Sequence, residues 1–138
     1  MTTDVLNNKL ENLRRCLARL RDKTPVSATA LAEDLDAQDI LCLNLERAVQ
    51  VCVDIATHLL SDREAPAPDS MADAFVQLTH LGVLSMATAE RMSKAVGFRN
   101  IAVHEYQALD WQIVYALVTQ HLDDFADYAR EVAAASPG

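Results

Sequence analysis

The run Leu41-Cys42-Leu43-Asn44-Leu45-Glu46-Arg47-Ala48-Val49-Gln50-Val51-Cys52-Val53-Asp54-Ile55-Ala56-Thr57-His58-Leu59 decides the fold of this chain. Leu41, Leu45, Ala48, Cys52, Ile55, Ala56 and Leu59 recur at steps of three and four. That step keeps them on one face of an α-helix, and no Gly or Pro interrupts it. The pattern predicts a long helix capped by Asp36, with Asp39 favouring its positive end, running to about Ser61.

The same reading extends outward. Upstream, Leu6, Leu10, Leu13, Leu17 and Leu20 form one apolar stripe that Pro25 ends, and Ser27 to Leu35 reads as a short helical connector. Downstream, Pro66 and Pro68 mark a loop over Asp62 to Asp69. Ser70 then caps a helix, with Asp73 at the capping-box position and Met71, Phe75, Leu78 and Leu81 facing inward. After a break near Gly82 to Ser85, a short helix is expected to end at Gly97, a natural left-handed cap. Asp110 caps a last helix carrying Val114, Leu117, Val118, His121, Phe125 and Tyr128 on one face. The final residues, 134–138, should fray. The expected architecture is an all-α, up-and-down bundle of four principal helices with short additional ones, one domain over residues 1–138.

Composition supports this and narrows the function. Of 138 residues, 51% are hydrophobic, with three Gly and four Pro, too apolar for disorder and too poor in turn formers for a multi-stranded β fold. No apolar run is long enough to span a membrane, and the polar start does not look like a signal peptide, so a cytoplasmic, membrane-free protein is expected. Cys16, Cys42 and Cys52 form no ligand-spaced or disulfide-like pair and read as small core residues. No cluster suggests a metal, and no cofactor is expected. His58 should touch Asp54, four residues earlier, as a polar pair. His80 lacks a ligand-spaced partner, His121 should be a core histidine, and Trp111 a packing anchor.

Net charge is −8, which argues against broad adhesion to nucleic acid. The charge is uneven, however. Between Lys9 and Lys23 six cations face two acids, a local basic face suited to one phosphate-bearing ligand or one acidic partner.

Chemistry concentrates at Arg99-Asn100-Ile101-Ala102-Val103-His104-Glu105-Tyr106. Arg grips phosphate oxygens, and imidazole moves protons near neutral pH. On a regular helix, residues five apart lie roughly 140° apart, so Arg99 and His104 would point to different sides. Asn100 and His104, four apart, would be neighbours. Either Gly97 leaves Arg99 on an irregular first turn, or a second copy of the chain completes the site.

Phe98 to Tyr106 resembles the Arg-x4-His-x-Tyr signature of the HepT-like toxins of the HEPN ribonuclease superfamily. Asn44 to Gln50 and Cys52 to His58 resemble that family's long second-helix motif, and the likeness covers nearly the whole chain. The resemblance implies a homodimer with its active site at or near the interface. It also implies metal-independent RNA cleavage leaving a 2′,3′-cyclic phosphate and a 5′-hydroxyl. By position, Arg99 would neutralise the scissile phosphate, His104 act as general base or acid, and Asn100 orient His104 or the phosphate. Tyr106 matches the tyrosine to which a MntA-like minimal nucleotidyltransferase antitoxin adds AMP, which would place a bulky anion beside Arg99. The alternative is a non-catalytic helical module that holds the substrate or partner of a two-component nucleotidyltransferase.

Overall fold

The computed structural model of the chain describes residues 2–135. It contains seven α-helices: α1 (Thr2–Lys23), α2 (Ala28–Glu33), α3 (Leu35–Asp62), α4 (Met71–His80), α5 (Met86–His104), α6 (Trp111–Gln120) and α7 (Leu122–Ala135). A single 3-10 turn, Tyr106–Ala108, joins α5 to α6, and no strand occurs among the described residues.

The long helix α3 is the axis of the bundle. Leu41, Leu45, Ala48, Cys52, Ile55, Ala56 and Leu59 are all buried, as their spacing predicts. Leu6, Leu13, Leu17 and Leu20 of α1 are buried with them, while Leu10 is only partly covered. Each fully buried leucine contributes about 1.5–3 kcal/mol of apolar transfer, so these two stripes set how α1 lies on α3. On the opposite side, Phe75 of α4 meets Tyr128 of α7 edge-on at 5.4 Å. The Tyr128 hydroxyl donates to the Cys52 carbonyl at 2.7 Å, which pins α7 to α3. Cys42 and Cys52 are buried free thiols, and Cys16 is half-buried.

Several boundaries differ from the sequence expectation. The cap of α3 is Asp34, whose Oδ1 accepts from Ala37 N at 3.0 Å. Asp36 lies in the first turn, where its charge still meets the helix dipole. The cap falls two residues early because Gln38 is drawn inward. Its Nε2 donates to the Leu31 and Ala32 carbonyls at 3.0 and 3.1 Å, tying the end of α2 to the start of α3. Ser70 caps α4 as expected, accepting from Asp73 N at 3.0 Å. Leu81 does not face inward. It terminates α4 and is 42% exposed, because the chain turns at Gly82 with φ +74°, in the left-handed region open to glycine.

Gly97 does not end a helix. It lies within α5, which continues to His104. A mid-helix Gly costs about 1 kcal/mol. Burying Phe98 and Ala102 beyond it, as Met92 and Val96 are buried before it, outweighs that cost. The last helical stretch is two helices, divided at His121. Asp110 caps α6 as expected, its Oδ1 accepting from Gln112 N at 2.9 Å. α6 packs on α2 and α1, whereas α7 packs on α5 and α3, and one straight helix cannot serve both. His121 therefore sits exposed at the break, with Nδ1 3.5 Å from Asp124, and not in the core. Of the expected frayed end at 134–138, Ala134 and Ala135 remain helical, and the Ala135 carbonyl accepts from Arg63 Nη2 at 3.1 Å. Residues 136–138 lie outside the described residues.

Candidate functional site

The last two turns of α5 carry Arg99, Asn100 and His104. Helical backbone is uninterrupted from Met86 to His104, so the irregular first turn is excluded. Arg99 and His104 therefore diverge by roughly 140° around one axis and do not converge within a single chain. Arg99 is half-buried, and its Nη1 donates to Asn100 Oδ1 at 3.4 Å. The Asn100 amide thus braces the guanidinium, and no hydrogen bond joins it to His104 among the described residues. His104 is exposed at the helix end. Around it, Ile101 is 41% and Val103 44% exposed, an apolar surround unusual for a solvated helix terminus.

Glu105 terminates the helix, its N–H donating to the Ile101 carbonyl at 2.7 Å. The following 3-10 turn folds Tyr106 back against α3. Its hydroxyl donates to Asp39 Oδ1 at 2.8 Å, and its ring meets Trp111 edge-on at 5.9 Å. Burial and the Asp39 hydrogen bond push the phenol well above its ordinary pKa, holding it protonated. Cys42 lies alongside. Its burial, with the Glu46 carboxylate adding to it, pushes that thiol up to about 12, and the polar Tyr106 hydroxyl nearby opposes the rise. Trp111 is the packing anchor that the sequence suggested, and the ring it supports is that of Tyr106.

Nothing in the sequence marks Asp39 and Cys42 as neighbours of Tyr106. Asp39 carried only a helix-end role there, because a contact spanning 67 residues leaves no local signature. The expected Asp54–His58 pair is replaced by two others. Asp54 accepts from Gln50 at 3.0 Å, and His58 Nε2 lies 3.5 Å from Asp62. Both run along α3 at i,i+4, so the choice turns on which rotamer neighbouring helices allow. Among the described residues no group of three His, Cys, Asp or Glu side chains could hold a metal. No helix among them is long and apolar enough to cross a membrane.

A family model for HepT-like ribonucleases matches residues 13–132. The chain belongs to the HepT-like ribonuclease family. An mRNA nuclease HepT from Shewanella oneidensis is 34% identical over 125 residues, covering 91% of this chain and 93% of that protein. A tRNA nuclease HepT from Aphanizomenon flos-aquae is 25% identical over 128 residues, covering 93% of this chain and 87% of that protein. A solved structure of a tri-AMPylated Shewanella oneidensis HEPN toxin in complex with MNT antitoxin superposes with a TM-score of 0.89 at 33% identity, covering 95% of this chain and 98% of that one. The seven-helix bundle is thus the HepT-like fold; its continuous α5 carries the Arg and His of the Arg-x4-His-x-Tyr segment, and the 3-10 turn that follows carries the Tyr.

Proposed function

We propose that this HepT-like chain, acting as one domain over residues 1–138, is the endoribonuclease toxin of a toxin–antitoxin pair. Arg99, Asn100 and His104 would cut RNA without a metal, and AMP placed on Tyr106 by a nucleotidyltransferase antitoxin would silence it. One observation carries the reading: phosphate-binding and proton-moving groups share the open end of α5, one turn from a phenol held by Asp39. Since Arg99 and His104 diverge on one helix, the active form is a homodimer in which two copies of α5 bring them to one phosphate. The exposed Ile101 and Val103 supply apolar surface for that contact.

In the cleavage step, a ribose 2′-oxygen attacks the adjacent phosphorus and the 5′-oxygen leaves. His104 takes the 2′-hydroxyl proton or donates one to the leaving oxygen, and Arg99, braced by Asn100, neutralises the phosphoryl oxygens. In the silencing step, the Tyr106 oxygen attacks the α-phosphorus of ATP held by the antitoxin and pyrophosphate departs. Asp39 positions the phenol and accepts its proton.

The test is an RNA digest with the wild-type chain in excess EDTA, beside Arg99→Ala and His104→Ala. Cleavage should survive the chelator and fall about 100-fold or more in each variant. Undiminished cleavage by both variants would overturn the assignment. The net charge of −8 favours a second reading, a non-catalytic module for a nucleotidyltransferase. That reading expects no His104-dependent cleavage at all.

A further inference from the structure

A groove between α1 and α3 gathers three arginines on an otherwise acidic chain. It encloses about 470 Å³ and is lined by Arg15, Arg19, Arg47, Asn12, Asn44 and Gln50, with Cys16 and Val51 at its base. No carboxylate lines it.

The arginines around this groove differ from other cations of α1 in how fully acids offset them. Arg14 is bidentate on Glu11, at 2.9 and 2.5 Å. Arg21 lies 4.0 Å from Asp123, and Lys23 lies 3.7 Å from Asp22. Those three are offset by acids. Arg15 has only a 3.6 Å approach to a Glu11 already occupied by Arg14. Arg19 and Arg47 make no ion pair among the described residues. Arg15, Arg19 and Arg47, the least compensated of these, line the groove, while Lys9, which also makes no ion pair among the described residues, lies outside it. Arg47 reaches into it from α3, where its charge works against the burial that raises the Cys16 thiol. In contrast, Arg91, at the mouth of the cleft between α3, α5 and α7, is held by Asp124 and Asp127 at 3.8 and 3.5 Å.

The amides add a second recognition element. Asn44 donates its Nδ2 to the Ile40 carbonyl at 2.8 Å, and Gln50 donates its Nε2 to Asp54 at 3.0 Å. Each bond uses one of that amide's two N–H donors, and neither amide oxygen accepts a hydrogen bond among the described residues, which leaves both oxygens as acceptors on the groove wall. A site with three guanidinium donors and two amide acceptors fits a ligand that offers anionic oxygens and hydroxyl protons together. A ribose–phosphate backbone has both, whereas the side chains of an acidic peptide offer only carboxylate acceptors.

We propose that the Arg15–Arg19–Arg47 groove is a binding site for the ribose–phosphate backbone of RNA, separate from Arg99 and His104, that holds substrate flanking the cleavage point. The inference rests on the ribonuclease reading above. It also explains how a chain of net charge −8 retains RNA: a local cluster of arginines attracts the backbone despite the acidic total.

The test uses the full chain carrying His104→Ala, so that RNA survives, and a 20-nucleotide single-stranded RNA beside DNA of the same sequence. Affinity is measured across a salt series for this parent and for the added triple change Arg15→Gln, Arg19→Gln, Arg47→Gln. Losing three phosphate contacts should weaken RNA binding at least tenfold. It should also reduce the slope of log affinity against log salt by about 2, at roughly 0.7 per contact on a single strand. The parent should bind RNA more tightly than DNA, and Asn44→Ala should narrow that gap. Arg19→Gln alone, on an exposed surface of α1, should reduce the slope by roughly 0.7 and covers the case in which the triple variant does not fold. Unchanged affinity and slope in folded variants would overturn the proposal. So would loss of antitoxin binding with RNA binding intact, which would make the groove an acidic-protein site. A wild-type chain that cleaves RNA while the variants bind it normally sinks only the groove. A wild-type chain that neither binds nor cleaves RNA sinks the ribonuclease reading as well.

Discussion

Two regions along α3 are built from the same parts and put to opposite uses. At Cys52, the hydroxyl of Tyr128 donates to the backbone carbonyl at 2.7 Å, and Phe75 meets the tyrosine ring edge-on. At Cys42, ten residues and roughly 15 Å earlier along the helix, the hydroxyl of Tyr106 donates to Asp39 at 2.8 Å, and Trp111 meets its ring edge-on. Tyr128 is 0% exposed and Tyr106 is 37% exposed. The first tyrosine is sealed on all sides and serves cohesion. The second is fixed in position while one side of it faces solvent, in the turn that follows the end of α5. An aromatic hydroxyl on a helix therefore does not by itself distinguish core from site. Which surface the next element covers is what separates them.

The comparison can be broken most readily at the sealed end. Tyr128→Ala should cost about 3–5 kcal/mol in urea unfolding, since it removes a fully buried ring and orphans its packing partners. Tyr106→Ala, at the open end, should cost no more than about 1 kcal/mol. Equal costs would show that the two sites are not divided between cohesion and chemistry. Activity should invert that order. Arg99→Ala and His104→Ala should lower cleavage about 100-fold or more while shifting unfolding midpoints little. Midpoint losses as large as that of Tyr128→Ala would make those residues structural.

A finer probe is the modification itself. Co-expressed with its antitoxin, the wild-type chain should gain mass in whole AMP units mapped to Tyr106 by intact mass spectrometry. Tyr106→Phe should gain none yet still cleave RNA, and Asp39→Asn should be modified about tenfold more slowly, the low end of what one positioned proton acceptor contributes. AMP addition to Tyr106→Phe at the wild-type level would remove the phenol from the scheme.

The smallest effect concerns Glu131, which ties α7 to the start of α5. Burial alone would push its carboxyl up. Hydrogen bonds from the Ser85 backbone N–H and the Thr88 hydroxyl outweigh this and hold it below the usual 4.5. Its contribution is therefore present above pH 4.5 and is lost as pH falls through the lowered value. The melting temperature of Glu131→Gln should fall less steeply with acidification than that of the wild type. Parallel curves would remove this tie from the account.

The apolar periods were legible because burial on one face imposes them. The stripes of α1 and α3 follow the leucines, and Ser70 and Asp110 cap where their oxygens suggest. What escaped was set by long-range packing. Gly97 looked like a stop, and only the burial of Phe98 and Ala102 carries the helix past it. His121 looked like a core position, because a straight helix through it fits the apolar pattern equally well. The break arises only because α6 and α7 have different partners. Around the site, Arg99, Asn100, His104 and Tyr106 stand out as residue types in the chain. The brace of Arg99 by Asn100 and the hold of Asp39 on Tyr106 required the fold.

The hydrogen bond from Tyr106 to Asp39 has a mechanical consequence. A phenol converted to a phosphodiester has no proton left to donate. Asp39 would then lose its donor and face an anion in the same place, so attraction would become repulsion. The 3-10 turn at Tyr106–Ala108 is held to α3 through that proton. Esterification would therefore act as an unlatching as well as a covering: the segment between α5 and α6 would be released from α3 in the same event that adds the nucleotide.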